Sequence, residues 1–250
     1  MVLNFAHRGS LTEAPENTLT AMKKALEHKC QAIELDVQLT KDHQLVVIHD
    51  QKLTRYNKKQ PGFVKDYTLN EIKQIKVGSS FSSAFNDTRL ATLDEVLEIV
   101  PNDILLNIEI KNIPVIYEGI EKILLDCIQN HRREENVIIS SFDHAALQKI
   151  QQEAPGLSIG LLFYYRLLQP WEYARNCGLD IYSIHPMHTW TDEELIEASH
   201  FLGYKVFPFT VNSEQRYEQL LELGVDGVFS NNPAIFSESK NVTKEGEYAN

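Results

Sequence analysis

Ala32-Ile33-Glu34-Leu35-Asp36-Val37 is the stretch on which the reading of this chain turns. Its aliphatic and β-branched residues read as a strand. A strand shows residues i and i+2 on one face, so Glu34 and Asp36 point the same way. Other apolar runs also meet ionisable residues at their ends: 2–6 leads into His7-Arg8-Gly9, 45–48 into His49-Asp50, and 104–110 closes on Glu109-Ile110, followed by Lys111. Glu109 and Lys111 again share a face. Inward charges are costly in a packed core unless a cation or an anionic ligand meets them. Carboxylates, histidines, an Arg and a Lys converging on one mouth point to metal-assisted phosphoryl chemistry.

Working outward, β-like runs alternate with amphipathic stretches almost to the end. Strands are predicted over 2–6, 32–37, 104–110, 137–140, 158–162, 181–184, 206–210 and 227–230. Helices are predicted over 17–28, 92–100, 115–130, 143–153, 170–177, 191–202 and 213–223. Thr92 with Glu95 and Thr191 with Glu194 have capping-box spacing, and Gly178, Gly203 and Gly224 stand where helices should stop. Strands separated by helices over this length predict an α/β fold, a (β/α)8 barrel of the TIM type. Residues 45–48 follow the previous strand too closely for a parallel crossover and should form an antiparallel hairpin arm. Residues 51–90 lack a clean period and read as an insertion after His49-Asp50 that walls one side of the mouth. Its Lys52, Arg55, Lys58 and Lys59 read as solvated surface. One domain is expected over 1–236, followed by a polar tail over 237–250.

Composition narrows the classes. The 250 residues carry a formal net charge of -11, which argues against a nucleic-acid surface. Cys30, Cys127 and Cys177 are far apart, without zinc spacing, and read as free thiols. There is no signal-peptide pattern and no apolar run of membrane-spanning length, so a soluble, cytoplasmic protein without a membrane span is expected.

Glu34, Asp36 and Glu109 are an oxygen donor set suited to a hard divalent cation; ion pairs with Arg8 and Lys111 are the competing account. His7 and His49, at neighbouring strand ends, suit proton transfer near neutral pH; the alternative is a hydrogen-bonded structural role. Arg8 offers a planar fork for phosphate and Lys111 a point charge. His185 also follows a strand and is a candidate substrate contact at the mouth. Phe209 and Phe142 each follow a strand and read either as barrel packing or as an apolar wall for a carbon backbone; the wall is preferred only at Phe209, on the resemblance below.

Taken in order, these motifs resemble the glycerophosphodiester phosphodiesterases over nearly the whole chain. The matching segments are His7-Arg8-Gly9 with Pro15-Glu16-Asn17-Thr18, Glu34-Leu35-Asp36-Val37, Val46-Val47-Ile48-His49-Asp50, Asn107-Ile108-Glu109-Ile110-Lys111, Thr210-Val211-Asn212 and Gly224-Val225-Asp226-Gly227. The resemblance implies a TIM-type barrel and a divalent metal (Mg2+, Ca2+ or Mn2+) on Glu34, Asp36 and Glu109. It implies His7 and His49 as the acid–base pair, with Arg8 and Lys111 on the phosphate. The substrate would be a small glycerophosphodiester such as glycerophosphocholine or glycerophosphoethanolamine, giving sn-glycerol 3-phosphate. Two departures stand out: Phe209 replaces the usual Trp, and Ser230-Asn231-Asn232-Pro233 replaces the usual Thr-Asp before Pro, a change expected to touch the rim and not the chemistry. A phospholipase acting on lysophospholipids or phosphoinositides would need an apolar rim, which residues 51–90 do not offer. A catalytically silent phosphate-binding barrel is the reading outside enzymes.

Overall fold

Aliphatic and β-branched runs make the strands of a computed structural model that describes residues 2–58 and 60–236. The strands are β1 (Leu3–His7), β2 (Ala32–Leu39), β3 (Leu45–Val47), β4 (Ala91–Thr92), β5 (Leu105–Ile110), β6 (Val137–Ser141), β7 (Ser158–Phe163), β8 (Ser183–Pro186), β9 (Lys205–Val206) and β10 (Gly227–Ser230). They pair in the order β10-β1-β2-β5-β6-β7-β8-β9, and every pairing along that path is parallel. The helices are α1 (Leu19–Glu27), α2 (Leu69–Ile72), α3 (Leu93–Ile99), α4 (Ile120–Asn130), α5 (His144–Glu153), α6 (Pro170–Asn176), α7 (Glu193–Phe201) and α8 (Glu214–Glu222). The strand–helix alternation is that of the predicted barrel.

No ladder joins β9 to β10. Three main-chain hydrogen bonds cross that seam instead: Asp226 N–H to Val206 C=O (3.1 Å), Phe229 N–H to Pro208 C=O (3.1 Å) and Val211 N–H to Phe229 C=O (2.8 Å). The strand expected over 206–210 is therefore cut to Lys205–Val206. Pro208 has no N–H to give to a ladder.

Alternation sorts the side chains. Leu35, Val37, Leu106 and Ile108 face the helices and belong to the main apolar core, while Phe5, Ala32, Ile138, Phe207 and Phe229 fill the barrel interior. Each fully buried Leu, Ile or Phe contributes about 1.5–3 kcal/mol, so the scaffold under the polar mouth is held by apolar burial.

The hairpin arm forms as expected: β3 runs antiparallel to β2 and is extended by β4. Residues 51–90 are not a bare loop. Short helical turns and α2 close over their own small core of Leu53, Val64, Ile72, Ile75, Val77 and Leu90, shared with Val46 and Ile48.

Most caps follow the sequence. Thr92 and Glu95 form the expected capping box, and Gly178, Gly203 and Gly224 take φ of 79°, 86° and 87°. Two expectations are corrected. The cap of α7 is Asp192, which accepts from Leu195 N–H at 3.0 Å, while the Thr191 hydroxyl donates to Met187 C=O; Asp caps as well as Thr does. The helix expected from 115 begins only at Ile120. Gln51 holds both the N–H and the C=O of Val115, at 3.1 and 2.8 Å, which draws that segment off the helical path. Among the described residues no helix is long and apolar enough to cross a membrane. Lys59 and the tail over 237–250 lie outside the described residues.

Candidate active site

Strand register assembles the mouth. His7 lies opposite Glu34, Glu34 beside Asn107, and Asp36 beside Glu109. Two residues of positive φ, Arg8 (56°) and Gly9 (86°), turn the chain out of β1. A Cβ on Gly9 would stand 2.6 Å from the Ala21 carbonyl carbon, so only glycine lets α1 approach this closely. The turn aims Arg8 N–H at Glu34 Oε2 (2.8 Å) and brings its Nε to 3.3 Å from Asp36 Oδ2 and its Nη1 to 3.0 Å from Glu16 Oε2. Lys111 Nζ lies 2.7 Å from Glu109 Oε1 and 3.6 Å from Asp36 Oδ1. Asn17 Nδ2 donates to Asp36 Oδ2 at 2.8 Å.

One oxygen from each of Glu34, Asp36 and Glu109 lies within 4.8 Å of the others, and all three residues are buried. The ion pairs with Arg8 and Lys111 exist, yet they do not exhaust the acids: Glu34 Oε1 is buried and accepts no hydrogen bond, and Asp36 Oδ1 accepts none either and is met only by Lys111 Nζ at 3.6 Å. Three carboxylates against two cations leave a deficit of positive charge where solvation is weak. Burial, with the charges of Asp36 and Glu109, pushes the Glu34 carboxyl well above its ordinary range. Burial, then the charge of Asp36, also raises Glu109, against the pull of Lys111. Asp36 goes the other way: burial opposes its ionisation, but Arg8 and Lys111 together hold it below the usual aspartate value. Orphaned hard oxygens of this kind fit a divalent cation.

The two histidines differ in their partners. His7 Nδ1 meets Asn231 Oδ1 at 2.6 Å, and its Nε2 is 3.9 Å from Glu34 Oε2. An amide oxygen only accepts, so Nδ1 carries the proton and Nε2 keeps a lone pair. Burial, and then the charge of Arg8, lower His7 to about 3. His49 Nδ1 instead meets a carboxylate, Asp50 Oδ1, at 2.6 Å. Arg55 Nη1 also donates to that oxygen at 2.7 Å, and its Nη2 donates to Glu16 Oε2 at 3.0 Å. Tyr56 donates its hydroxyl to Glu16 Oε1 at 2.9 Å.

His7, Arg8, Glu34, His49, Glu109 and Lys111 line one pocket of about 220 Å³, and Asp36 lies buried behind them. Phe209 lines it too, with Phe142 edge-on at 5.9 Å between ring centres. Phe142 is thus a wall of the pocket and not only packing. His185 does not line it. That ring is fully buried in the barrel, bonded through Nε2 to Ser183 Oγ (2.8 Å) and flanked by Phe207 and Phe229. Gly160 leaves the space it fills, since a Cβ there would lie 2.6 Å from His185 Cε1.

Three further expectations are corrected by contacts. Asn231 touches the His7 ring and so belongs to the site and not to the rim alone. Arg55 is not merely solvated, because it joins Asp50 to Glu16. The insertion contributes no residue to the pocket lining; it braces the residues around it through Arg55, Tyr56 and Gln51, whose Nε2 donates to Lys111 C=O at 2.9 Å. Glu16 and Asn17 are visible in the Pro15–Thr18 motif; Asn231 stands out only as part of the departure at 230–233, and nothing local signals its contact with His7.

Residues 7–235 match the model of the glycerophosphoryl diester phosphodiesterase family. The glycerophosphodiester phosphodiesterase of Caldanaerobacter subterraneus subsp. tengcongensis is 44% identical over 232 residues, 92% of this chain and 94% of that protein. The glycerophosphodiester phosphodiesterase of Bacillus altitudinis is 38% identical over 231 residues, again 92% and 94% of the two chains. A phosphodiesterase from Oleispira antarctica, solved in complex with the product sn-glycerol-3-phosphate, superposes with a TM-score of 0.84 at 29% identity, covering 93% of this chain and 94% of its own.

Proposed function

The chain belongs to the glycerophosphoryl diester phosphodiesterase family, and from that premise we propose that it hydrolyses glycerophosphodiesters to sn-glycerol 3-phosphate and an alcohol by histidine acid–base chemistry. Glycerophosphocholine and glycerophosphoethanolamine are the substrates of this reading. The observation that carries it is the meeting of two differently partnered histidines with the buried Glu34–Asp36–Glu109 carboxylate cluster at one barrel mouth.

A divalent cation held by Glu34, Asp36 and Glu109 would polarise a phosphoryl oxygen and offset charge on the attacking and leaving oxygens; Mg2+, Ca2+ and Mn2+ all suit oxygen donors. Arg8 and Lys111 face the remaining phosphoryl oxygens and stabilise the charge that grows there. The glycerol 2-hydroxyl attacks phosphorus as the bond to the leaving alcohol breaks. The resulting cyclic phosphate is then opened by water, with the proton transfers reversed.

The ring partners divide the labour. His7, on a neutral amide and uncharged, accepts the proton of the 2-hydroxyl at Nε2. His49, whose ring is oriented by Asp50 at Nδ1, delivers a proton to the leaving oxygen. His7→Ala and His49→Ala should each lower turnover of glycerophosphocholine by roughly 10²–10⁴. With a p-nitrophenyl ester of glycerophosphate, whose leaving group needs no proton, His49→Ala should recover most of its rate and His7→Ala should not. Wild-type turnover of glycerophosphocholine by either variant contradicts the reading.

A further inference from the structure

A second group of metal-ligating side chains lies away from the pocket, between the first turn of α3 and the last turn of α4. Cys127 has no cysteine at zinc spacing, but His131 follows it by four residues and so shares its helix face. His131 caps α4, and its N–H still donates to Cys127 C=O at 3.2 Å. Asp94 reaches both side chains from α3: its Oδ1 lies 2.9 Å from His131 Nε2 and 3.6 Å from Cys127 Sγ. One ligating atom from each of the three lies within 4.8 Å of the others. Asp94 follows a turn fixed by the Thr92–Glu95 capping box, so helical backbone holds all three donors in place.

Chemistry selects the ion. A thiolate sulfur, an imidazole nitrogen and a carboxylate oxygen are zinc ligands, with bonds of about 2.0–2.3 Å. Tetrahedral angles then set nitrogen and oxygen roughly 3.3 Å apart, and sulfur and oxygen roughly 3.5 Å apart. The observed 2.9 and 3.6 Å need only a small adjustment. Among the described residues no Lys or Arg pairs with Asp94, so its carboxylate has no permanent positive charge beside it. Burial, then the charge of Asp94, pushes the Cys127 thiol up to about 12, which rules it out as a nucleophile of its own.

We propose that Asp94, Cys127 and His131 bind Zn2+, with water completing the tetrahedron beside the exposed Asp94. On binding, the thiol proton leaves to solvent and the neutral imidazole keeps its one proton on Nδ1. Sulfur and Nε2 then both offer lone pairs to the ion. Thiolate and imidazole favour zinc over the hard ions that suit Glu34, Asp36 and Glu109. α3 continues from β4, which extends the hairpin arm leading into His49, so the ion ties that arm to α4. None of this depends on the phosphodiesterase reading.

The test is a Co2+ titration of metal-stripped protein in thiol-free buffer. Co2+ takes zinc sites, and a cysteine ligand gives it an ultraviolet sulfur-to-metal charge-transfer band that carboxylates cannot. The band should appear and saturate, be bleached by Zn2+, and persist in excess Mg2+ or Ca2+. Cys127→Ser should abolish it and Cys177→Ser should keep it. Cys127 is buried, so its two partners, which reach the surface, supply a second arm. His131→Ala and Asp94→Ala should each weaken Co2+ binding by more than roughly tenfold, the least that losing a mere supporting contact costs. The proposal is overturned by the absence of a band, by one that survives Cys127→Ser, or by one that keeps its affinity in His131→Ala or Asp94→Ala. Bleaching by Mg2+ or Ca2+ overturns it as well.

Discussion

At the scale of single residues, the proposed proton transfers depend on what holds each imidazole. Asn231 is itself fixed on both sides, its N–H donating to Asn212 Oδ1 and its C=O accepting from Leu11 N–H, each at 3.0 Å. Its side-chain oxygen is thereby presented to His7 Nδ1 and sets the tautomer. Asn231→Leu removes that acceptor without removing bulk. The loss should appear in kcat, by roughly 10–10², with KM nearly unchanged, because a ring a fraction of an ångström out of place fails in the transition state. Asn231→Asp restores an acceptor and should recover most of the rate. Steady-state kinetics of the two variants decide it: equal losses in both, or a loss confined to KM, would mean that Asn231 does not act through His7.

At the scale of elements the weak place is the seam between β9 and β10, where Asp226 stands in for a ladder. Its Oδ2 accepts from Val206 N–H at 2.9 Å and meets His200 Nε2 at 2.8 Å, and its Oδ1 accepts from Lys205 Nζ at 2.8 Å. Burial opposes its ionisation, but the Lys205 ammonium, Val206 N–H and His200 hold the carboxyl below the usual aspartate value. A depressed folded-state pKa contributes stability that is complete above the unfolded value of about 3.9 and is lost as pH falls through the folded one. Asp226→Asn should therefore cost about 1–3 kcal/mol near neutrality and make the acid limb of the stability profile shallower. Denaturant midpoints measured at several pH values would show both effects; an unchanged acid limb would mean the clamp is not closing the barrel.

The same seam shows how far the sequence could be read. Glu34, Asp36, Glu109, His7 and His49 were legible because ionisable residues at the ends of apolar strands have few bland explanations, and strand alternation says which of them share a face. The barrel was legible from the strand–helix rhythm. Depth was not: His185 stands at a strand end much as His7 does, yet its ring is fully buried against Phe207 and Phe229 and does not reach the pocket lining. Nor was the partner of His7, which lies 224 residues away along the chain. The bracing role of Arg55 depends on how residues 51–90 fold back, and their own small core fixes that without a periodic signature.

At the scale of the whole molecule, a protein of net charge -11 places at its pocket mouth the carboxylates of Glu34, Asp36 and Glu109, which outnumber the cations Arg8 and Lys111. An anionic substrate can approach such a mouth only if a further positive charge is supplied there. The central claim is thus that turnover requires a cation on those three carboxylates. The most direct measurement is release of sn-glycerol 3-phosphate from glycerophosphocholine after EDTA treatment, followed by addition of Mg2+, Ca2+ or Mn2+, with Glu34→Gln assayed in parallel. A metal-dependent site should show no release after chelation, recovery with at least one of the ions, and little recovery in Glu34→Gln. Full activity in EDTA, or a Glu34→Gln enzyme that recovers like the wild type, would contradict it.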